Sequence, residues 1–334
     1  MLPAVDEPMR VFVTREIPEV SLRRLAEGLP GARIDVHRGA LPLGPRQLLA
    51  AARGASALVC TLSDRIDAAL LEALAPPLRV VATFAVGHEN IDLDAARRLG
   101  VRVANTPGVL TDATAEIAVA LLLACARRVA EGDRTVRAGR FAGWSPLAHR
   151  GHAIYGSTVG IVGAGRIGFR VAATLHRGFD CRILVHSRSE QQGLDRQRAW
   201  RELGAQFVSL DRLLASADFV SLHCPLSPDT RHLIDAKALA RMQPHAALVN
   251  TARGALVDEA ALVEALRAGT IACAGLDVYE DEPRLAPGLA QLENAVLLPH
   301  IGSATHAARD AMGRLCADAV IAELSGRAAP NRLV

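Results

Sequence analysis

Several kinds of signal are missing from this sequence, and each absence removes a class of function. No stretch approaches the roughly 18 uninterrupted apolar residues that a membrane-spanning helix requires. Residues 1–10 are acidic and proline-bearing, with neither a basic leader nor an apolar core, so no secretory leader is expected and a cytoplasmic location is. Lysine is all but absent: Lys237 is the only one, and arginine supplies the rest of the 38 basic residues. These are scattered among 35 acidic ones for a net charge of +3. With no basic stripe, neither nucleic acid nor a membrane surface is an expected partner. The six cysteines, Cys60, Cys125, Cys181, Cys224, Cys273 and Cys316, form no CxxC and no Cys/His metal spacing. They sit in apolar runs and read as buried reduced thiols, and no metal is expected. Low-complexity tracts and short-period repeats are also lacking.

What is present is a chain of 334 residues, 50% hydrophobic and 22% charged, too long for one ordinary core and well suited to two. In the first hundred residues, short apolar, β-branched runs (11–13, 34–36, 57–59, 80–82) alternate with helix-period segments (20–29, 47–53), the pattern of parallel βαβ units. A long helical pattern from Thr111 to Ala138, opened by groups suited to a helix N-terminus, is expected to link two domains. A second alternating series follows, with strands at 159–162, 183–185, 219–222, 247–249 and 271–273. The last helical run, about 303–324, has no strand after it, so it is expected to return to the first domain. The fold class is thus α/β, with two doubly wound parallel-sheet domains. One is discontinuous, residues 1–104 and 298–334, and the other spans 105–297.

The sharpest motif is Thr158-Val159-Gly160-Ile161-Val162 running into Gly163-Ala164-Gly165-Arg166-Ile167-Gly168 and then a helical pattern. Glycines at this spacing allow a tight turn and let the main chain approach a pyrophosphate, which then rests on the positive end of the following helix. A dinucleotide is expected there, on Gly163, Gly165, Arg166, Ile167 and Gly168. Ser187 stands 19 residues past Gly168, about where an NAD site carries an acid for the ribose hydroxyls. The segment reads His186-Ser187-Arg188-Ser189 instead. Hydroxyls and a guanidinium without an acid suit a 2′-phosphate, so NADP(H) is expected to be preferred, with NAD(H) still usable.

Three later segments offer the chemistry that hydride transfer to a carbonyl needs: a proton donor, a cation for a substrate carboxylate, and an acid to tune the donor. Arg253 follows an apolar strand in Asn250-Thr251-Ala252-Arg253-Gly254. Glu282 lies in the acidic stretch after Ala274-Gly275-Leu276-Asp277. His300 follows Leu298-Pro299 at the end of a third apolar run. Singly, each has an ordinary structural explanation; together they place an imidazole, a carboxylate and a guanidinium at the carboxyl ends of strands, where open α/β sheets bind ligands.

At this point the sequence resembles the D-isomer-specific 2-hydroxyacid dehydrogenases, and within them the glyoxylate/hydroxypyruvate reductases. The resemblance extends from about Val80 onward, through Ala85-Val86-Gly87-His88-Glu89-Asn90, Asn105-Thr106-Pro107-Gly108, the glycine motif, Ser221-Leu222-His223-Cys224-Pro225-Leu226, the three segments above and His300-Ile301-Gly302-Ser303. It implies a Rossmann-type coenzyme domain and a flavodoxin-like substrate domain with the active site in a cleft between them. It also implies NAD(P)H-dependent reduction of a small 2-oxo acid, glyoxylate or hydroxypyruvate. His300 would be the general acid/base, Glu282 would hydrogen-bond to it and raise its pKa, and Arg253 would orient the substrate. The Val86-Gly87 main chain would take the substrate carboxylate and Asp277 the nicotinamide carboxamide, with Thr114, Cys224, Pro225, Thr230, Thr251 and Ala252 lining the cofactor cleft. Trp144 would reach the active site of the second subunit of a homodimer. Two positions depart from the family pattern: His88 replaces a common tyrosine, and Arg150-Gly151 stands where Leu-Gly is usual. Rival readings are a phosphite dehydrogenase, disfavoured by Val86 where a lysine would serve a dianion; a 3-phosphoglycerate dehydrogenase, disfavoured by the short C-terminal extension; and a nucleotide-sensing corepressor on the same fold.

Overall fold

The computed structural model describes residues 9–188 and 194–334. The chain divides into two compact units: one runs up to Leu110 and resumes at Ala304–Val334, and the other is Thr111–Ser303. These crossings lie a few residues beyond the expected 104 and 297. The helix Thr111–Ala126 buries Leu121, Leu122 and Cys125 in the core of the second unit, while Leu298 donates its N–H to Leu276 of that unit's sheet.

The first unit is a five-stranded, all-parallel sheet of β1 (Arg10–Val13), β2 (Arg33–Val36), β3 (Ala57–Cys60), β4 (Val80–Thr83) and β5 (Arg102–Ala104), in the order β2-β1-β3-β4-β5. Every residue of β3 and β4 is buried, as expected where helices cover both faces of a parallel sheet. The helix His306–Leu324 packs on β4 and on the helix Glu19–Gly28. It starts three residues later than its pattern suggested because Thr305 is its N-cap, accepting from the N–H of Ala308.

The second unit holds β6 (Thr158–Val162), β7 (Arg182–His186), β8 (Gln206–Phe207), β9 (Phe219–Leu222), β10 (Ala247–Asn250), β11 (Cys273–Leu276) and β12 (Ala295–Leu297). They form one parallel sheet in the order β12-β11-β10-β9-β6-β7-β8. The chain moves outward from β6 to β7 and β8, then returns to β9 on the other side of β6. That reversal is the switch point at which open sheets leave a crevice beyond the carboxyl ends of their strands.

Two expectations are corrected. The helical pattern from Thr111 to Ala138 is two helices, Thr111–Ala126 and Val129–Arg137, broken where Arg128 turns left-handed (φ 54°). The carbonyl of Ala126 accepts the N–H of His152, a contact made by a segment distant in sequence. This also explains Gly151, where a Cβ would lie 2.0 Å from that carbonyl oxygen; nothing in the structure accounts for the arginine before it. The strand expected at 271–273 runs at 273–276 instead, through Gly275. Gly275 marks a close helix approach, since a Cβ there would come within 3.1 Å of the Cys125 Sγ.

Candidate active site

The candidate residues of the second unit gather at the carboxyl ends of β6, β9, β10, β11 and β12. After β6 the chain turns at Gly163 (φ 110°), where a Cβ would lie 2.5 Å from the main-chain nitrogen of Cys224. A Cβ at Gly168 would lie 2.3 Å from the Gly163 oxygen. The first and third glycines are therefore demanded by the fold itself. Gly165 differs: it is the N-cap of the helix Arg166–Phe179, and its Cβ position meets no heavy atom within 4 Å. An open approach to a helix N-terminus is what a pyrophosphate requires. Arg166 is exposed and Ile167 half-buried on that first turn. At the end of β10, the Thr251 hydroxyl is buried without a hydrogen-bond partner, a polar atom awaiting a ligand. The residues present fit a dinucleotide.

At the far end of this cradle, His186, Ser187, Phe207, Val208 and Ser209 line an open depression of about 320 Å³. Arg188 donates to the Asp229 carboxylate at 2.7 Å and to the Ser227 hydroxyl at 3.3 Å. Asp229 has no signal in the sequence, yet it competes with any phosphate for that guanidinium. Ser189 lies outside the described residues. Cys224 is half-buried beside Gly163, and burial pushes its thiol up to about 11. Pro225 is exposed, and Thr230 is buried with its hydroxyl turned into its own loop, donating to the Pro225 carbonyl at 2.8 Å.

The chemistry-bearing groups converge at β10, β11 and β12. His300 Nδ1 lies 2.9 and 3.1 Å from the two carboxylate oxygens of Glu282. Both side chains are about one-third exposed, so the imidazole edge away from Glu282 is accessible. His300 holds a left-handed backbone (φ 55°), which costs a non-glycine residue on the order of 1 kcal/mol and is maintained by its surroundings. Those surroundings are Asp277, whose two oxygens accept the N–H groups of Ile301 and Gly302, each at 2.7 Å. Burial raises the Asp277 carboxyl, partly offset by these two donors. Burial also opposes ionisation of Glu282, but the hydrogen bond and charge of His300, the Tyr279 N–H at 3.0 Å and the charge of Arg253 prevail, holding its carboxyl below the usual value.

Arg253 is half-buried in the turn after β10, where the Asn250 side chain accepts the Ala252 N–H and donates to the Arg253 carbonyl. A Cβ at the next residue, Gly254, would lie 1.8 Å from the Tyr279 carbonyl carbon. The arginine turn and the loop carrying Glu282 thus abut through main chain alone. Ala252 is half-buried, and Thr114 sits 3.4 Å from the Cβ position of Gly302. Of the other candidates, Val86 follows β4 with its carbonyl accepting from Asn105 at 2.7 Å, Gly87 is buried, and Trp144 is 86% exposed.

Sequence reasoning passed over Asp229, Glu259 and His223. Glu259 is buried and accepts the N–H groups of Glu280 and Ala286. His223 lies within 2.9 Å of the Ser221 hydroxyl, beneath the glycine turn. Asp229 and Glu259 act through partners more than twenty residues away, which no local pattern records.

Residues 119–302 match the family described as D-isomer specific 2-hydroxyacid dehydrogenase, NAD binding domain. A curated glyoxylate reductase of Thermococcus litoralis is 45% identical over 328 residues, covering 96% of both chains. Among solved structures, a protein of Thermus thermophilus is 46% identical with a TM-score of 0.89, covering 98% of this chain and 100% of its own. An NADPH-dependent glyoxylate/hydroxypyruvate reductase of Sinorhizobium meliloti, solved with NADP and malonate, is 32% identical with a TM-score of 0.80 over 98% and 97% of the two chains.

Proposed function

The chain belongs to the D-isomer-specific 2-hydroxyacid dehydrogenases, and from that membership we propose that it reduces glyoxylate and hydroxypyruvate with His300 as the proton donor. It is an NAD(P)-dependent oxidoreductase of 2-oxo and 2-hydroxy acids, the activity named for its curated and structural relatives. The observation that carries the assignment of roles is the His300–Glu282 pair at 2.9 Å beside the Arg253 turn.

The nicotinamide supplies the hydride. His300, held by Glu282 at Nδ1, presents Nε2 to the substrate carbonyl oxygen and delivers the proton as negative charge develops there. Ionised Glu282 keeps the imidazole oriented through Nδ1, and Arg253 attracts the substrate carboxylate through its fork of donors. Asp277 fixes the His300 loop through two N–H groups; by resemblance it also accepts from the carboxamide. On the same basis, Val86 and Gly87 contact substrate through their main chain. Gly163, Gly165, Arg166, Ile167, Gly168, Thr114, Cys224, Pro225, Thr230, Thr251 and Ala252 serve the cofactor.

A preference for NADPH is supported by the absence of an acid at Ser187 and the presence of Arg188, and is tempered by Asp229, which engages that arginine. Homodimer formation is supported by the exposure of Val129, Val136, Phe141, Trp144 and Leu147 along one stretch of chain. The phosphite and corepressor readings are not favoured, since the close curated relatives are glyoxylate reductases. Initial rates of NADPH and NADH oxidation with glyoxylate, hydroxypyruvate, pyruvate and a bulkier 2-oxo acid test the assignment. Fastest turnover of the two small substrates supports it, and tight cofactor binding without turnover of any of them defeats it.

A further inference from the structure

Glu259 is 4% exposed, and its carboxylate is held by main-chain N–H groups instead of by a cation. It occupies the first position of the helix Glu259–Ala268, where a carboxylate would be expected to satisfy the helix's own free N–H groups. That task is taken by Asp258, whose side chain accepts from Ala261. Glu259 instead reaches across to a loop more than twenty residues away in sequence. Its Oε1 accepts the Glu280 N–H at 2.6 Å and its Oε2 the Ala286 N–H at 3.2 Å. These two donors bracket the segment 281–285 that holds Glu282. Burial pushes the Glu259 carboxyl up, the two N–H groups pull it down, and the neighbouring charges of Glu280 and Glu282 push it up again. A buried acid facing two other acids is an unfavourable choice for packing alone.

We propose that Glu259 is a positioning residue for the reaction, gripping the main chain on both sides of Glu282 so that its carboxylate is held at hydrogen-bond distance from His300. The loop is tied on its other side as well: the Glu280 carboxylate accepts from Arg231 and lies 2.7 Å from His232 Nε2. With Glu280 anchored by its side chain and both flanks anchored through Glu259, the loop is left little freedom to drift. Displacements of about 1 Å in such supports lower turnover by up to about a hundredfold. The proposal rests on the roles given above to Glu282 and His300.

The test is a double-variant cycle of Glu259→Gln and Glu282→Gln, with kcat and KM for glyoxylate, the Kd of NADP+ by calorimetry and the melting temperature measured for each protein. The expected result is a kcat lowered about tenfold or more in Glu259→Gln, with NADP+ binding and melting retained. The double variant is then no slower than Glu282→Gln alone, because Glu259 acts only through Glu282. An unchanged kcat in Glu259→Gln, or losses that multiply in the double variant, overturns the proposal. Wild-type kcat in Glu282→Gln overturns the assignment of Glu282 itself, and this proposal with it. Should Glu259→Gln not fold, Glu259→Asp keeps the charge but is one methylene too short to span both donors; a wild-type kcat in that variant overturns the proposal and a reduced one supports it.

Discussion

His223 makes a quantitative test of how the glycine turn is supported. Its imidazole is packed under that turn, 2.9 Å from the Ser221 hydroxyl, and burial lowers its pKa from 6.5 to about 3. As pH falls through 6.5, the unfolded chain takes up a proton that the native protein refuses. Stability therefore declines with acid over the window from about 6.5 down to 3. Each unit of pH in that window is worth about 1.4 kcal/mol, and integrating from pH 7 to pH 5 gives about 2 kcal/mol. Because part of the residue keeps contact with solvent, about 1–2 kcal/mol is the working figure. His223→Asn retains a partner for Ser221 and cannot titrate. Urea unfolding of both proteins at pH 7, 6 and 5 reads the difference in slope, so a constant packing loss in the variant cancels. The variant is expected to lose about 1–2 kcal/mol less than wild type between pH 7 and 5; parallel slopes would refute the reasoning.

Gly254→Ala should be severe for its size, because its methyl would meet the Tyr279 and Glu280 main chain at 1.8–2.3 Å. A cost of about 3 kcal/mol and a kcat about a hundredfold lower are expected in melting and rate measurements, and wild-type kinetics would show that the two loops need not abut. Ser187→Asp with Arg188→Ala places an acid where the ribose is expected. The NADPH to NADH ratio of kcat/KM should fall by about tenfold or more, and an unchanged ratio would remove the basis for the cofactor preference. Gel filtration should give twice the chain mass of 35.3 kDa; elution as a monomer would contradict the dimer.

Strands were legible where short apolar runs fill buried parallel positions, β-branched in β4 and β6 and more broadly aliphatic in β3 and β10. The glycine motif was legible because two of its members are forced by close main-chain contacts, at Cys224 and at the Gly163 oxygen. β8 was not: it is two exposed residues, Gln206 and Phe207, recruited by pairing with β7, and propensity carries no information at that length. The break after Ala126 was hidden because it depends on His152, which caps that helix from a distance in sequence. Among the site residues, Arg253, Glu282 and His300 stood out by their position after apolar runs. Glu259 and Asp229 resemble ordinary helix-start and turn acids, and only tertiary contacts reveal what they hold.

The central claim is that His300 delivers the proton. The most direct measurement is the rate of glyoxylate reduction by His300→Ala at saturating NADPH, with NADP+ affinity measured on the same protein. A fall in kcat of about a hundredfold to ten-thousandfold with cofactor affinity retained is predicted, whereas a kcat within a few-fold of wild type would contradict the account.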